Sequence, residues 1–392
     1  METLAQLIEK TDADEQIAKK AVAKLVAIGM PAVPSIIDTI RLRSATPIWK
    51  SRTPIWRLRQ VLHQIHHPDL IPVLIGLLQD ESSDLAITAF EVLGQSRDQR
   101  ALQPLLNALS SDLTDFLAIP ALGELGNPQG IKPLLKVAEE ILQEPNVSLV
   151  IEGKPVHEDF YEVPLTLLPK IIIALAKLGN YEIAPLAIPL THYHAHTHSS
   201  EEKDIRITAT EALQYVVIPG MFPALQAALH NEDHEVRLEA VDAVFYLGIK
   251  EAIPELIACV QDENSMVRNN VLVRLHDITG TWFKDDVKVG DLQEWWEQHQ
   301  AEYERGVCYR LGKPLHLPDV IVLLDDINNR KTIMQELKVI TGVNFGSHPD
   351  VVSQSPGILV QLAQEWWKEE GHKFEDGCLY KYGYKHNINN IF

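Results

Sequence analysis

Amphipathic segments, each with apolar residues along one face of a helix, follow one another in pairs along most of the chain. A helical segment ends in Leu-Gly or a similar pair, a short polar turn follows, and an apolar residue and Pro then open a second segment. Examples are "VLGQSRDQRALQPLLNAL", "ELGNPQGIKPLLKVA" and "YLGIKEAIPELIACV". Gly supplies the left-handed conformation that ends a helix, and Pro fits the first helical turn because its missing N–H has no partner there. The pattern predicts repeated helix pairs.

Prolines mark the second segment of each pair at intervals of 38, 32, 29, 52, 38 and 31 residues: Pro34, Pro72, Pro104, Pro133, Pro185, Pro223 and Pro254. A period near 31 emerges, and three longer intervals predict insertions near residues 41–60, 144–164 and 190–204. The second insertion carries apolar β-branched residues around a turn-like Glu152-Gly153-Lys154-Pro155, which favours a β-hairpin.

Arginines recur in the same register as the prolines. Arg206, Arg237 and Arg268 open successive first helices at intervals of 31 residues. We expect them to bridge neighbouring repeats by bonding turn acids such as Asp233 and Asp262.

These phrases resemble the HEAT repeat, particularly the short bacterial version that is also found in phycobilin lyases, over about residues 15–280. The resemblance implies an all-α fold, an α-solenoid of HEAT-like repeats over residues 1–280, because single helix pairs cannot bury their apolar faces alone. Solenoids of this kind serve as adaptors, chaperones and a few enzymes, so the fold alone does not assign a function.

Residues 281–392 form a second region that contains an internal duplication. "EWWEQHQAEYERGVCYRLG" (294–312) and "EWWKEEGHKFEDGCLYKYG" (365–383) align without a gap, and each follows an Ile-Thr-Gly phrase. A paired-tryptophan helix after such a phrase resembles the terminal segment of many bacterial HEAT arrays. We therefore predict two copies of a helix-plus-turn module that cap the repeats.

The composition excludes several classes of partner. A formal net charge of -19 repels nucleic acid and anionic lipid, and the sequence has no apolar run as long as a membrane helix. The three cysteines form no close pair and the N-terminus does not resemble a secretory signal. We therefore expect a cytoplasmic protein that binds neither nucleic acid nor membranes. The resemblance to bacterial HEAT arrays implies a bacterial protein, and the oligomeric state is left open.

A tandem heptad, "TPIWKSRTPIWRLR" (46–59), lies in a stretch without acidic residues between Asp38 and Asp69. We predict a helix from Pro54 to about His66. Arg and Trp dominate interface hot spots, and a local positive charge steers an acidic partner. The predicted partner-binding residues are Trp49, Lys50, Arg52, Trp56, Arg57 and Arg59. The alternative is that the tryptophans belong to the core and the cations form a solvated face, docked on acids of the same chain.

Alternating histidines follow in the third insertion, "THYHAHTHSS". In an extended segment His192, His194, His196 and His198 would share one side and would bind a divalent metal. The alternative is a surface loop with adventitious metal affinity.

No catalytic motif accompanies these features. The sequence lacks GxSxG, Walker, GxGxxG and HExxH motifs. The HEAT-like deoxyhypusine hydroxylases use four His-Glu pairs, whereas only His157-Glu158 and His234-Glu235 occur here. We favour a non-catalytic scaffold or adaptor that binds an acidic protein and needs no cofactor. The alternatives are a phycobilin-lyase-like enzyme or chaperone that holds a bilin, and a metal-binding protein.

Overall fold

The computed structural model describes residues 2–45, 55–109, 115–143, 163–193, 200–326, 330–343, 345 and 356–392. The chain divides into two compact units, residues 1–133 with 344–359, and residues 134–343 with 360–392. In the described part of the chain no single helix has the length and apolarity needed to cross a membrane. One pair of helical segments, Glu15–Ile28 and Met30–Ser44, meets both criteria when the two are taken together, but the pair is bent by 111°.

The first unit consists of helices α1 Leu4–Lys10, α2 Glu15–Ile28, α3 Val33–Ser44, α4 Ile55–Gln64, α5 Leu70–Leu77, α6 Ser83–Ser96, α7 Leu102–Ala108 and α8 Asp115–Leu125. The first helices of successive pairs, α2, α4, α6 and α8, pack against one another in that order. Gly94 allows a close approach of α6 to α8, because a Cβ there would lie 2.9 Å from the backbone of Ala121. Helix α9, Ile131–Gln143, crosses the division between the units.

The second unit continues the pattern with α10 Val163–Lys177, α11 Ala187–Leu190, α12 Ser200–Ala212, α13 Met221–Leu229, α14 His234–Phe245, α15 Ala252–Ala258 and α16 Ser265–Thr279. Again the first helices, α10, α12, α14 and α16, pack side by side. All seven marking prolines lie in the first turn of a second helix or in the 3-10 turn that precedes it. The predicted all-α fold of stacked helix pairs is therefore confirmed.

The bridge between neighbouring repeats is confirmed at Arg237. Its guanidinium donates to both carboxylate oxygens of Asp262, at 2.7 and 2.9 Å, and to the carbonyl of Asn231 at 2.8 Å. These contacts hold the pKa of the Asp262 carboxyl below its usual value against the opposing effect of burial. Asp233, the other expected acid, caps α14 and lies 3.4 Å from Lys203.

The remaining elements are α17 Val289–His299, β1 Tyr309–Arg310, β2 Lys313–Pro314, α18 Leu317–Val322, α19 Arg330–Thr341, α20 Pro356–Glu370, β3 Leu379–Lys381 and β4 Tyr384–His386. Strand β1 pairs antiparallel with β2, and β3 with β4. Each predicted helix-plus-turn module thus ends in a short β-hairpin, where a simple turn is predicted from the sequence. The hairpin predicted near 144–164 lies outside the described residues.

Both hairpins turn through two residues with positive φ, Leu311-Gly312 and Tyr382-Gly383. The turn N–H groups of Leu311 and Gly312 donate to the last carbonyls of α16, at 2.8 and 2.9 Å, and those of Tyr382 and Gly383 donate equivalently to α19 at 2.7 and 2.8 Å. Each hairpin therefore satisfies helix-end carbonyls that would otherwise lack partners. The predicted domain boundary after residue 280 falls inside the second unit and stays a prediction.

Candidate interaction surface

Helix α4 contains the described half of the tandem heptad. Leu58, Val61 and Leu62 are fully buried, and Trp56 is 58% exposed. Trp56 precedes Leu58 by two residues, or about 200° around the helix, so it points away from the core. The predicted helix over 54–66 is found at Ile55–Gln64, and the interpretation of Trp56 as a core residue is wrong.

Arg57 lies beside the exposed indole. Its guanidinium is 5.1 Å from the centroid of the Trp56 ring, and Nη1 donates to the carbonyls of Thr11 at 2.6 Å and Ala13 at 3.1 Å. Among the described residues, no carboxylate lies within salt-bridge distance of Arg57. The Thr11 and Ala13 carbonyls, at and just beyond the carboxyl end of α1, orient this cation, and the charges of Asp12 and Glu15 act on it only from beyond ion-pair distance.

Other basic side chains near α4 pair with acids of the same unit. Arg59 lies 3.1 Å from Glu91 and 3.7 Å from Asp84, and His63 is 3.0 Å from Glu91. The hydrogen bond from His63, together with the charge of Arg59, lowers the pKa of the Glu91 carboxyl.

Helix α3 contributes two more paired arginines. Arg41 lies 2.7 Å from Asp80, and Arg43 bonds both carboxylate oxygens of Asp12. Most described arginines between Asp38 and Asp69 thus form ion pairs with acids of the same chain, as the alternative interpretation expects. Trp49, Lys50 and Arg52 lie outside the described residues.

The predicted metal ligands are described only at His192. Its Nδ1 is 2.7 Å from the Thr191 hydroxyl, just after α11. His194, His196 and His198 lie outside the described residues. Within the described ranges, no three His, Cys, Asp or Glu side chains cluster closely enough to hold a metal ion. The metal site stays a prediction.

The second unit contains a buried polar cluster that was not predicted from the sequence. Arg310 pairs with Glu336, and the Arg310 guanidinium lies 4.1 Å from the ring centroid of Phe245. The guanidinium of Arg274 lies 4.2 Å from the same centroid. Lys381 is fully buried and donates to the carbonyl of Tyr246 at 3.2 Å. The one available signal was that Arg310 and Lys381 occupy equivalent positions in the duplicated modules.

Carboxylates also gather along one edge of α12 and α14. Glu239 accepts a hydrogen bond from Gln214 at 2.9 Å, and Asp242 accepts from Asn270 at 3.0 Å. Burial, followed by the charges of Glu211 and Asp242, raises the pKa of the Glu239 carboxyl to about 7. Glu239 therefore keeps its proton to a higher pH than a free carboxyl does, and Asp242 is paired with Arg274 at 2.8 Å.

Comparisons with known proteins agree with the helix pairs. The family model for HEAT repeats matches residues 56–118, 194–275 and 222–309. No curated protein is significantly similar in sequence. The complex of CpcE and CpcF of phycocyanin lyase from Nostoc sp. PCC7120 shares 15% identity over 75% of this chain and 95% of that chain, with a TM-score of 0.37.

Two further solved structures are similar over long stretches. Human deoxyhypusine hydroxylase in complex with glycerol shares 20% identity over 66% of this chain and 98% of that chain, with a TM-score of 0.26. Importin beta shares 13% identity over 94% of this chain and 47% of that chain, also with a TM-score of 0.26. The repeated helix pairs and the family match together show that this chain contains HEAT repeats.

Proposed function

We propose that the chain is a non-catalytic scaffold that binds an acidic protein partner through the surface around Trp56. The observation that carries this proposal is the pairing of an indole that is 58% exposed with an arginine oriented by carbonyls rather than carboxylates. Trp and Arg are the residue types most enriched in interface hot spots.

The two side chains would act in different ways. Docking of a partner would bury the exposed area of Trp56, at roughly 25 cal/mol per Å² of apolar surface. Arg57 would pair with a partner carboxylate, and removal of water would strengthen that charge-assisted bond. Trp49, Lys50 and Arg52 of the preceding heptad are included in this proposal as partner-binding residues on the sequence alone.

Cysteine chemistry supports a cytoplasmic location. Cys259 and Cys308 are buried free thiols, and Cys378 is a half-buried one. Burial raises the pKa of the Cys259 thiol to about 11 and that of Cys308 to about 12. Packed, protonated thiols of this kind suit a reducing compartment.

The proposal is tested by capturing partners from a lysate of the source organism and then measuring the affinity of the purified partner. Trp56→Ala and Arg57→Gln should each weaken binding about tenfold or more, and higher salt should weaken binding to the wild type. Trp282→Ala is the matched control, since Trp282 is 71% exposed but belongs to the second unit. Binding that survives loss of both Trp56 and Arg57 would refute this surface.

A further inference from the structure

Helix α16 differs from the two first helices before it at two positions of its exposed face. At the repeat period of 31 residues, Met266 corresponds to Asp204 and Glu235. Val273 corresponds to Glu211 and Asp242. Two positions that are acidic in α12 and α14 are therefore apolar in α16. They are seven residues, or about two turns, apart and share one face.

Both apolar side chains are exposed. Met266 is 55% exposed and Val273 is 41% exposed. Trp282, just beyond the helix, is 71% exposed and stacks on His276 with a centroid separation of 3.6 Å and an interplanar angle of 16°. Met266, Val273, His276 and Trp282 are called the α16 stripe below. From Met266 to His276 it extends about 15 Å along the helix.

The repeat register indicates what fits the α16 stripe. In the preceding repeat, Asp242 accepts bonds from Asn270 and Arg274 of the next first helix, and Phe245 lies under Arg274. One period later, the positions of Asp242 and Phe245 are those of Val273 and His276. These two residues therefore occupy the face on which a further first helix would pack.

The charges beside the stripe indicate the chemistry of that helix. Asp277 lies one turn beyond Val273 on α16, and Asp277 and Asp242 both pair with the buried cation Arg274, at 3.3 and 2.8 Å. One arginine thus serves two carboxylates, and burial and the charge of Glu336 raise the pKa of the Asp277 carboxyl to about 6. Carboxylates that resist ionisation in this way favour an added cation.

We propose that the α16 stripe binds an amphipathic helix of a partner protein, with Lys or Arg flanking its apolar face, in the place where a further repeat helix would stack. Apolar residues spaced by three, four and seven positions on that helix would contact Met266, Val273 and the Trp282 indole. Its cations would lie near Asp242 and Asp277. This surface is separate from Trp56, and its partner has the opposite charge.

A fluorescein-labelled 18-residue Leu/Lys peptide with a helical apolar stripe is the probe, and fluorescence anisotropy at about 0.15 M salt is the measurement. The matched control peptide has the same composition in scrambled order. The wild type should bind the striped peptide at least about tenfold more tightly than the scrambled one.

The decisive variant, Met266→Glu with Val273→Asp, restores the residues that α14 has at these positions. It should weaken binding of the striped peptide about tenfold although it adds two negative charges, and Trp282→Ala should also weaken binding. Trp56→Ala should leave binding unchanged, which separates this surface from the proposed function. Circular dichroism confirms that each variant is folded.

Two results would overturn the proposal. Unchanged or tighter binding by the double variant would show that general attraction to an acidic protein governs the interaction. Self-association of the wild type in sedimentation velocity, abolished by the double variant, would make a second copy of the chain the occupant instead of a partner helix.

Discussion

Arg310 and Lys381 occupy equivalent positions in the two C-terminal modules, and both place their cations at the carboxyl end of α14. Arg310 lies over the ring of Phe245, and Lys381 donates to the carbonyl of Tyr246. Their surroundings differ in one respect, because Arg310 has the carboxylate of Glu336 as a partner and Lys381 bonds a neutral carbonyl. The duplicated sequence therefore produces two buried cations with different energetic consequences.

The free energy of unfolding should rise with pH through the titration of Lys381. Burial lowers the pKa of Lys381 from 10.5 to about 7. Between those two pH values the unfolded chain binds more protons than the folded one, so this contribution to stability is present at high pH and is lost as pH falls through about 7. The free energy of unfolding of Lys381→Met should exceed that of the wild type by a few kcal/mol at pH 7, and the difference should shrink towards pH 10.

Denaturant unfolding of both proteins between pH 6.5 and 10 measures this difference, with Lys284→Met as an exposed control. Parallel pH profiles for wild type and Lys381→Met would show that Lys381 keeps its proton in the folded protein.

Removing one member of the Arg310–Glu336 pair should cost more than removing both. The side chains are 9% and 3% exposed, so either single substitution leaves a buried, unpaired charge. Arg310→Met and Glu336→Leu should each lower the free energy of unfolding by about 3 to 5 kcal/mol, and the double variant should recover much of that loss. A double-mutant cycle from urea unfolding checks this, and additive losses would contradict it.

Glu239→Gln should stabilise the protein more at pH 8 than at pH 5. The pKa of Glu239 is raised from 4.5 to about 7, so the folded state holds a proton that the unfolded state releases within that window. Its contribution to stability is present below pH 4.5 and is lost as pH rises through about 7.

A neutral Gln avoids that loss and can still accept the hydrogen bond from Gln214. We expect a gain of about 1 to 2 kcal/mol at pH 8 in chemical unfolding. Glu235→Gln, on the same helix, is the control. A gain that is independent of pH would argue against titration of Glu239.

The two hairpin turns should respond differently to Asn at their first turn position. Leu311 and Tyr382 both have φ of 50°, a conformation that suits Asn better than either residue. The Tyr382 ring packs 5.7 Å from that of Tyr215 and 5.9 Å from the Lys177 ammonium, whereas Leu311 is 38% exposed.

Leu311→Asn should therefore change the free energy of unfolding by no more than about 1 kcal/mol, and Tyr382→Asn should lower it by about 2 kcal/mol or more. Thermal or urea unfolding measures both. Equal losses would mean that turn conformation outweighs side-chain packing at these positions.

The repeats could be predicted because their signals are local and periodic. Pro in the first turn of a second helix and Gly after a first helix act through backbone geometry within a few residues. Arg237 and Asp262 could be paired in advance because a fixed period brings each turn beside the next. The hairpins could not be predicted from the sequence, because Leu311-Gly312 and Tyr382-Gly383 are atypical turn pairs that are stabilised by contacts with α16 and α19.

For the candidate interaction surface around Trp56, too, the sequence determines some features and the packing determines others. The sequence determines that Trp56 points away from the core, because helical periodicity places it on the face of α4 opposite the buried Leu58, Val61 and Leu62. The sequence does not determine the partners of the neighbouring arginines, because Arg59 contacts Glu91 across 32 residues and Arg57 contacts carbonyls 44 and 46 residues away. Helix period and capping act along the chain, whereas ion pairs and buried cations depend on which distant groups the packing brings together.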